Sequence, residues 1–425
     1  MTSTFLFLML ILLGPLMSTG FEVNPEVNTS GEGSVLRQAC YILVALMLLI
    51  ALKPWENFSR FLAIPRPLFI GLAYCWISLF WAIEPAVSLR RLILTTMVMW
   101  VLFASMRQLK FEEAVKLLRI AMVIVLIANY AAVILWPEFG MHGGNQLDEF
   151  SLAGDWRGAL QHKNFAGAAC AFTVILFAFD RGNMHRAIQI GVLAAASYFL
   201  YRSNSKTSVG LVVAALAAGF LFLRYKLRYK AVVLAIVSVL AIAATVAAAI
   251  FQNPLTAKLS DPKAFTGRTK IWKALWDYLV DHPLLGSGYG SFWNIGASSP
   301  IYTYGSGDVL VVPSGHNGFL DVAVALGIPG FILILVVAII MPFRKLLGSP
   351  LMVGSKGALL VGLFLFCVGH NFTETSLFQR DMLVWVMLMI AIALSQPDLI
   401  NYRRAKFDVH SLLRIRSSQR RGQAG

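Results

Sequence analysis

Charge is scarce in this sequence. Only 13% of its 425 residues are Asp, Glu, Lys or Arg, against 58% hydrophobic residues and a mean hydropathy of +0.71. That is too little polar surface to cover a water-soluble globule, so a lipid solvent is implied. Cysteine is scarce too. Cys40, Cys75, Cys170 and Cys367 all fall inside apolar runs with no CxxC or metal-type spacing, which excludes a disulfide framework and leaves four packing residues. Also absent are HExxH, a Walker loop and GxSxG, so zincin, P-loop and α/β-hydrolase chemistries lose their motifs.

Long apolar runs are what the sequence has instead. They lie near 4–20, 35–52, 66–83, 91–106, 116–136 and 164–180, then near 187–201, 207–223, 231–251, 317–342, 351–370 and 381–396. The expected fold is therefore an all-α polytopic membrane protein with about 12 transmembrane helices. The first run has no Lys or Arg before it and is interrupted by Pro15, which favours an uncleaved helix over a signal peptide.

Base outnumbers acid, 36 to 21, for a net charge of +15. With the N-terminus inside, 23 of the 36 cations fall in cytoplasmic segments, and the outward face is nearly neutral. The positive-inside rule thus accounts for the excess and predicts both termini in the cytoplasm. The basic tail over 397–425, with Arg403, Arg404, Arg414, Arg416, Arg420 and Arg421, reads as an anionic-lipid contact. No nucleic-acid motif accompanies it, so no nucleic-acid partner is expected.

The absence of repeats gives one integral membrane domain over 1–425. Two outward segments stand apart: 137–163, and the much longer 252–316, a length that usually carries function. Within the longer one a helix is expected from Thr269 to about Val280, since Ile271, Leu275 and Leu279 share one face and Pro283 follows His282. Trp272 and Trp276 suit either a helix lying on the membrane surface or one packed on the bundle.

Cations mark the outward helix mouths: Arg90 and Arg91, Arg157 and Lys163, Arg202 and Lys206, and Arg268. Singly each reads as a snorkelling residue; as a converging set they suit a polyanion, because Arg matches phosphate oxygens bidentately and Lys supplies a point charge. The sharpest pattern is SGHNGFLDVAVALGIPG. It sets His316 and Asn317 at the mouth of the tenth span, Asp321 one turn below, and Gly327 and Gly330 where helices can pack closely. GSGYG, Gly286 to Gly290, follows no strand and reads as a tight turn, with backbone anion binding the lesser reading. Outward acids are scattered without an Asp-x-Asp pair, so no metal site is expected.

GRTKIWKALWDYLVDHPLLGSGYGSFW and GHNGFLDVAVALGIPG, together with WRGALQHKNFAG and SNSKTS, resemble the shared core of the O-antigen ligase and polymerase superfamily. The HKN form and WAIEPAVSLRR look most like the succinoglycan-type exopolysaccharide polymerases, and the resemblance runs from Trp81 to Glu374. It implies a glycosyltransferase of the type C membrane fold in the bacterial inner membrane. Its donor would be a glycan on undecaprenyl diphosphate at the periplasmic face, without cofactor or metal, and other polysaccharide export components are candidate partners. On this resemblance Arg268, helped by Arg157, Lys206 and more weakly Arg91, would hold the diphosphate, while His316 would serve as base. Asn317, Asn164 and His162 would bond sugar or phosphate, and Glu374 is a second candidate base. Two rivals remain: a ligase moving the same glycan onto lipid A core, and a flippase or transporter. Against the latter stand the absence of paired repeats and of midplane charges.

Overall fold

A computed structural model of the chain describes residues 2–13, 35–56, 58–143, 152–180, 182–236, 239 and 268–396. Among these the architecture is helical, with two isolated bridges, Met141 to Trp156 and Ile295 to Ala297, and no strand. The longer helices are α1 (Thr2–Leu13), α2 (Val35–Leu52), α3 (Arg66–Ile77), α4 (Pro85–Met106), α5 (Phe111–Leu135) and α6 (Lys163–Phe179). They continue with α7 (Arg186–Arg202), α8 (Lys206–Phe222), α9 (Arg268–Asp281), α10 (Gly318–Leu335), α11 (Gly354–His370) and α12 (Leu383–Leu394).

Among the described residues four helices are long and apolar enough to cross a membrane: α2, α4, α5 and Gly318–Gly348, in which α10 continues through a π turn and a further helical stretch. A fifth is reached if Lys206–Phe222 and Leu227–Ile236, bent by 119°, form one span. The expected count of about 12 would need the shorter apolar helices as well. Most of the expected span at 231–251, parts of both outward segments and the tail from 397 onward lie outside the described residues.

Local signals account for several helix starts. Pro85 opens α4, where a missing N–H costs nothing, and the Glu113 carboxylate accepts from the Lys110 N–H at 2.8 Å at the start of α5. The innermost helix is α12, in which every residue from Val384 to Leu394 is buried; a helix apolar on all sides belongs at the centre. Against this core α8, α6 and α11 approach closely through Gly167, which faces Ser205, and Gly362, which faces Ile175 and the Ala215 carbonyl.

The tenth span departs from the simple helix expected there. Gly327 takes φ +69° and ψ 177°, followed by Pro329, so α10 is kinked rather than merely thinned for packing. The kink receives the 283–287 turn. The Ile328 N–H donates to the Pro283 carbonyl at 2.8 Å and the Ser287 N–H to the Val324 carbonyl at 2.9 Å. A Cβ on Gly286 or Gly327 would collide with the facing backbone. Gly286, Gly288 and Gly290 all have positive φ, so GSGYG is a tight turn.

Candidate functional site

The starts of α6, α8 and α10 and the 371–376 loop after α11 meet at one end of the bundle, and the Glu374 carboxylate lies where they converge. Arg268, the first residue of α9, donates Nη2–H to Glu374 Oε1 at 2.5 Å and Nη1–H to the Thr373 carbonyl. Asn164 Nδ2 donates to the same Oε1 at 2.6 Å, and His316 Nδ1 lies 3.1 Å from Oε2. Three of the residues singled out in the sequence therefore share one carboxylate, itself buried.

The electrostatics follow from that crowding. Burial pushes the Glu374 carboxyl up, but the His316 hydrogen bond and the charges of His316, Arg268 and His370 together outweigh it and hold the group at about 2. An ionised Glu374 accepts the proton on His316 Nδ1, which leaves Nε2 as the basic nitrogen. The imidazole retains 27% side-chain exposure where the carboxylate retains 8%, so the histidine is the reachable member of the pair.

His316 takes φ +47°, a left-handed conformation that costs a non-glycine residue of order 1 kcal/mol. Its neighbours hold it there. The Gly315 N–H donates to Asp321 Oδ2 at 3.1 Å, and the Asn317 N–H donates to Thr375 Oγ1 at 3.2 Å. Asp321 is further fixed by the Trp293 indole at 2.7 Å and by the Thr375 hydroxyl. Sequence reasoning gave Asp321 a place below His316 but missed Trp293 and Thr375 as its partners.

The other candidates sit as follows. Asn317 caps α10, its Oδ1 accepting from the Phe319 and Leu320 N–H groups at 3.1 Å each. His162 caps α6, its Nδ1 accepting from the Asn164 N–H at 3.1 Å. Burial, with His142, His316 and Lys163 nearby, lowers the His162 imidazole to about 3, the neutral form that a capping acceptor requires. Lys206 is exposed at the start of α8, between Ser205, whose hydroxyl donates to Asn164 Oδ1 at 3.2 Å, and Thr207, which bonds Thr373 at 3.1 Å. Arg157 is buried, donating Nε–H to the Phe139 carbonyl at 2.8 Å with its guanidinium 5.4 Å from that ring.

Arg91 is engaged elsewhere, its two terminal nitrogens donating to the carbonyls of Gly290, Trp293 and Asn294 at 2.5, 2.8 and 2.9 Å. The site also contains two residues the sequence gave no reason to choose: His142, whose Nε2 accepts from the Lys163 N–H at 3.1 Å, and Asp155, paired to Lys163 Nζ at 2.6 Å. No cluster of His, Cys, Asp and Glu suited to a metal ion occurs among the described residues.

On α9 one face packs on the bundle, and the Trp272 indole donates to the Gly315 carbonyl at 3.0 Å. Ile271, Leu275 and Leu279 are buried against α10, while Trp276 and Val280 remain exposed, as do Leu284 and Leu285 beyond the helix.

A model of the O-antigen ligase family matches residues 191–335, from α7 through α8 and α9 into α10. The match supports the O-antigen ligase and polymerase superfamily, covers about a third of the chain, and includes both Arg268 and His316. A search of the curated proteins gives no match. The family match and the apolar helices together fit a multi-pass membrane protein of the ligase or polymerase kind.

Proposed function

We propose that the chain is a metal-independent glycosyltransferase of the inner membrane, acting at the periplasmic face of a bundle of about 12 spans. It joins undecaprenyl-diphosphate-linked oligosaccharide units into exopolysaccharide or O-antigen. The observation that carries this reading is that Arg268 and His316 converge on the Glu374 carboxylate, setting a cation and a base side by side.

In the reaction, an acceptor hydroxyl gives its proton to His316 Nε2 as its oxygen bonds to the donor sugar C1. The C1–O bond to phosphate breaks, and undecaprenyl diphosphate leaves with the electron pair. Glu374 keeps the Nδ1 proton in place and stabilises the imidazolium that forms. Arg268 spends two of its five N–H groups on Thr373 and Glu374, which leaves donors for the diphosphate oxygens as their charge develops. Exposed Lys206, flanked by Ser205 and Thr207, which bond Asn164 and Thr373, extends the phosphate contact. Arg157 and Arg91 contribute by holding the loops around it.

The description of the matched family favours one second reading, a ligase that moves finished glycan to lipid A core or another acceptor. The lipid-linked glycans of a deletion strain separate the two. A polymerase deletion leaves single repeat units on undecaprenyl diphosphate, whereas long polymer stranded on the carrier would instead identify a ligase. Wild-type levels of both would remove the protein from this chemistry.

A further inference from the structure

A lateral cleft of about 1720 Å³ opens among α2, α3, α4 and the far part of the Gly318–Gly348 span, away from the Glu374 cluster. Its walls are apolar, with Leu46 on α2, Phe69 and Trp76 on α3, and Ile93, Met97 and Trp100 on α4. Phe69 and Ile93 leave more than half of their surface exposed, so the cleft opens sideways. Charged groups line one end only: Arg66, Arg107 and Lys345.

That end is opposite the His316 site. The chain passes from the 316–321 loop along the whole span before reaching Lys345. It enters α4 beside Arg91, which holds the 290–294 backbone, and leaves it at Arg107. Along α3 the lining runs from Arg66 to Ile77, roughly 17 Å at 1.5 Å per residue, close to one leaflet of a ~30 Å hydrocarbon core. On α4 it stops at Ile93, short of Arg91.

We infer that this cleft holds one anionic phospholipid from the leaflet opposite the Glu374 site, with its acyl chains along α3 and α4 and its phosphate between Arg66 and Lys345. Neither cation has an acidic partner among the described residues. Arg107, which donates to the Leu62 carbonyl at 2.9 Å, fixes the loop that closes the same end. A lipid with its diphosphate at the Glu374 end would put its charge at the wrong end of the cleft. The chain's own tail is a poor occupant, because its seven Lys and Arg residues repel the same three cations.

The test is lipid retention by the detergent-purified full chain, incubated with micelles holding equal phosphatidylglycerol and phosphatidylcholine and read by native mass spectrometry. One phosphatidylglycerol per chain is expected, with a preference of roughly fivefold per basic residue. Arg66→Gln with Lys345→Gln should remove most of that preference, and Arg66→Lys should keep it. Equal retention of the two lipids, or a preference untouched by the double substitution in a monodisperse protein, overturns the proposal. So does cross-linking of the 397–425 segment to a cysteine placed at Ala73, which would assign the cleft to the tail.

Discussion

Glu374 and Asp321 are two buried carboxylates in one neighbourhood, and their partners divide them. Asp321 accepts from an indole, a backbone N–H and a hydroxyl, groups that hold position and carry no charge. Glu374 accepts from a guanidinium, an amide and an imidazole, two of which can carry charge and retain exposure. Thr375, the next residue after Glu374, serves Asp321. One carboxylate thus shapes the His316 loop, and the other sets the chemistry of the histidine that the loop presents.

The comparison breaks most readily at His316. His316→Ala should lower glycan transfer by ~100-fold or more, the usual range for a lost general base, with thermal stability in detergent nearly unchanged. Unchanged turnover of the purified variant would move the chemistry elsewhere.

Asp321→Ala should weigh on the fold instead, costing roughly 2 kcal/mol of stability by stranding buried donors, with activity falling less than in His316→Ala as the loosened 315–317 loop presents the histidine less well. A fully stable but inactive Asp321→Ala protein would erase the division between the two carboxylates.

Glu374→Gln sharpens it further. Gln has one oxygen where Glu374 uses two, so its amide must face either the Arg268 and Asn164 donors or His316. In the second case the imidazole flips its proton to Nε2 and loses the base. A fall of about tenfold in transfer is expected, without the stability loss of Asp321→Ala. Because Glu374 is held at about 2, the acid limb of the wild-type rate profile should belong to another group, and it should persist in Glu374→Gln.

The smallest effect lies beside Glu374, at His162. Its imidazole is lowered to about 3 in the fold, so the unfolded chain takes up a proton first as pH falls below ~6.5. The stability it contributes is therefore present above that pH and lost progressively toward pH 3. His162→Asn keeps the cap and removes the titration, so melting curves from pH 7 to 5.5 should flatten by about 1 kcal/mol. An unchanged slope would show that His162 is already charged in the fold.

Much of this arrangement was legible from spacing. The runs read at 187–201 and 207–223 are α7 (Arg186–Arg202) and α8 (Lys206–Phe222), and the helix read at Thr269 to Val280 is α9, Arg268–Asp281. Apolar periodicity and Pro283 suffice for such elements. The pairing of Glu374 with Arg268 and His316 was not legible, because it joins positions 106 and 58 residues apart through a loop without periodicity. Arg91 shows the same limit. Its partners are backbone carbonyls, which every residue has, so a helix-mouth arginine that clamps a turn reads the same as one awaiting phosphate. Asn317 shows the opposite: its cap is local, at i+2 and i+3, where an Asn ahead of an apolar run signals a helix start.

The interlock of the 283–287 turn with the kink at Gly327 makes α9 a ruler. One end of the helix is pinned to α10 through Pro283 and Ser287, and the other brings Arg268 to Glu374. The fourteen residues between fix how far and at what angle the guanidinium arrives. Adding or removing one residue would turn Arg268 by about 100° and shift it ~1.5 Å. Such an indel would leave every site residue in the sequence and dismantle the site.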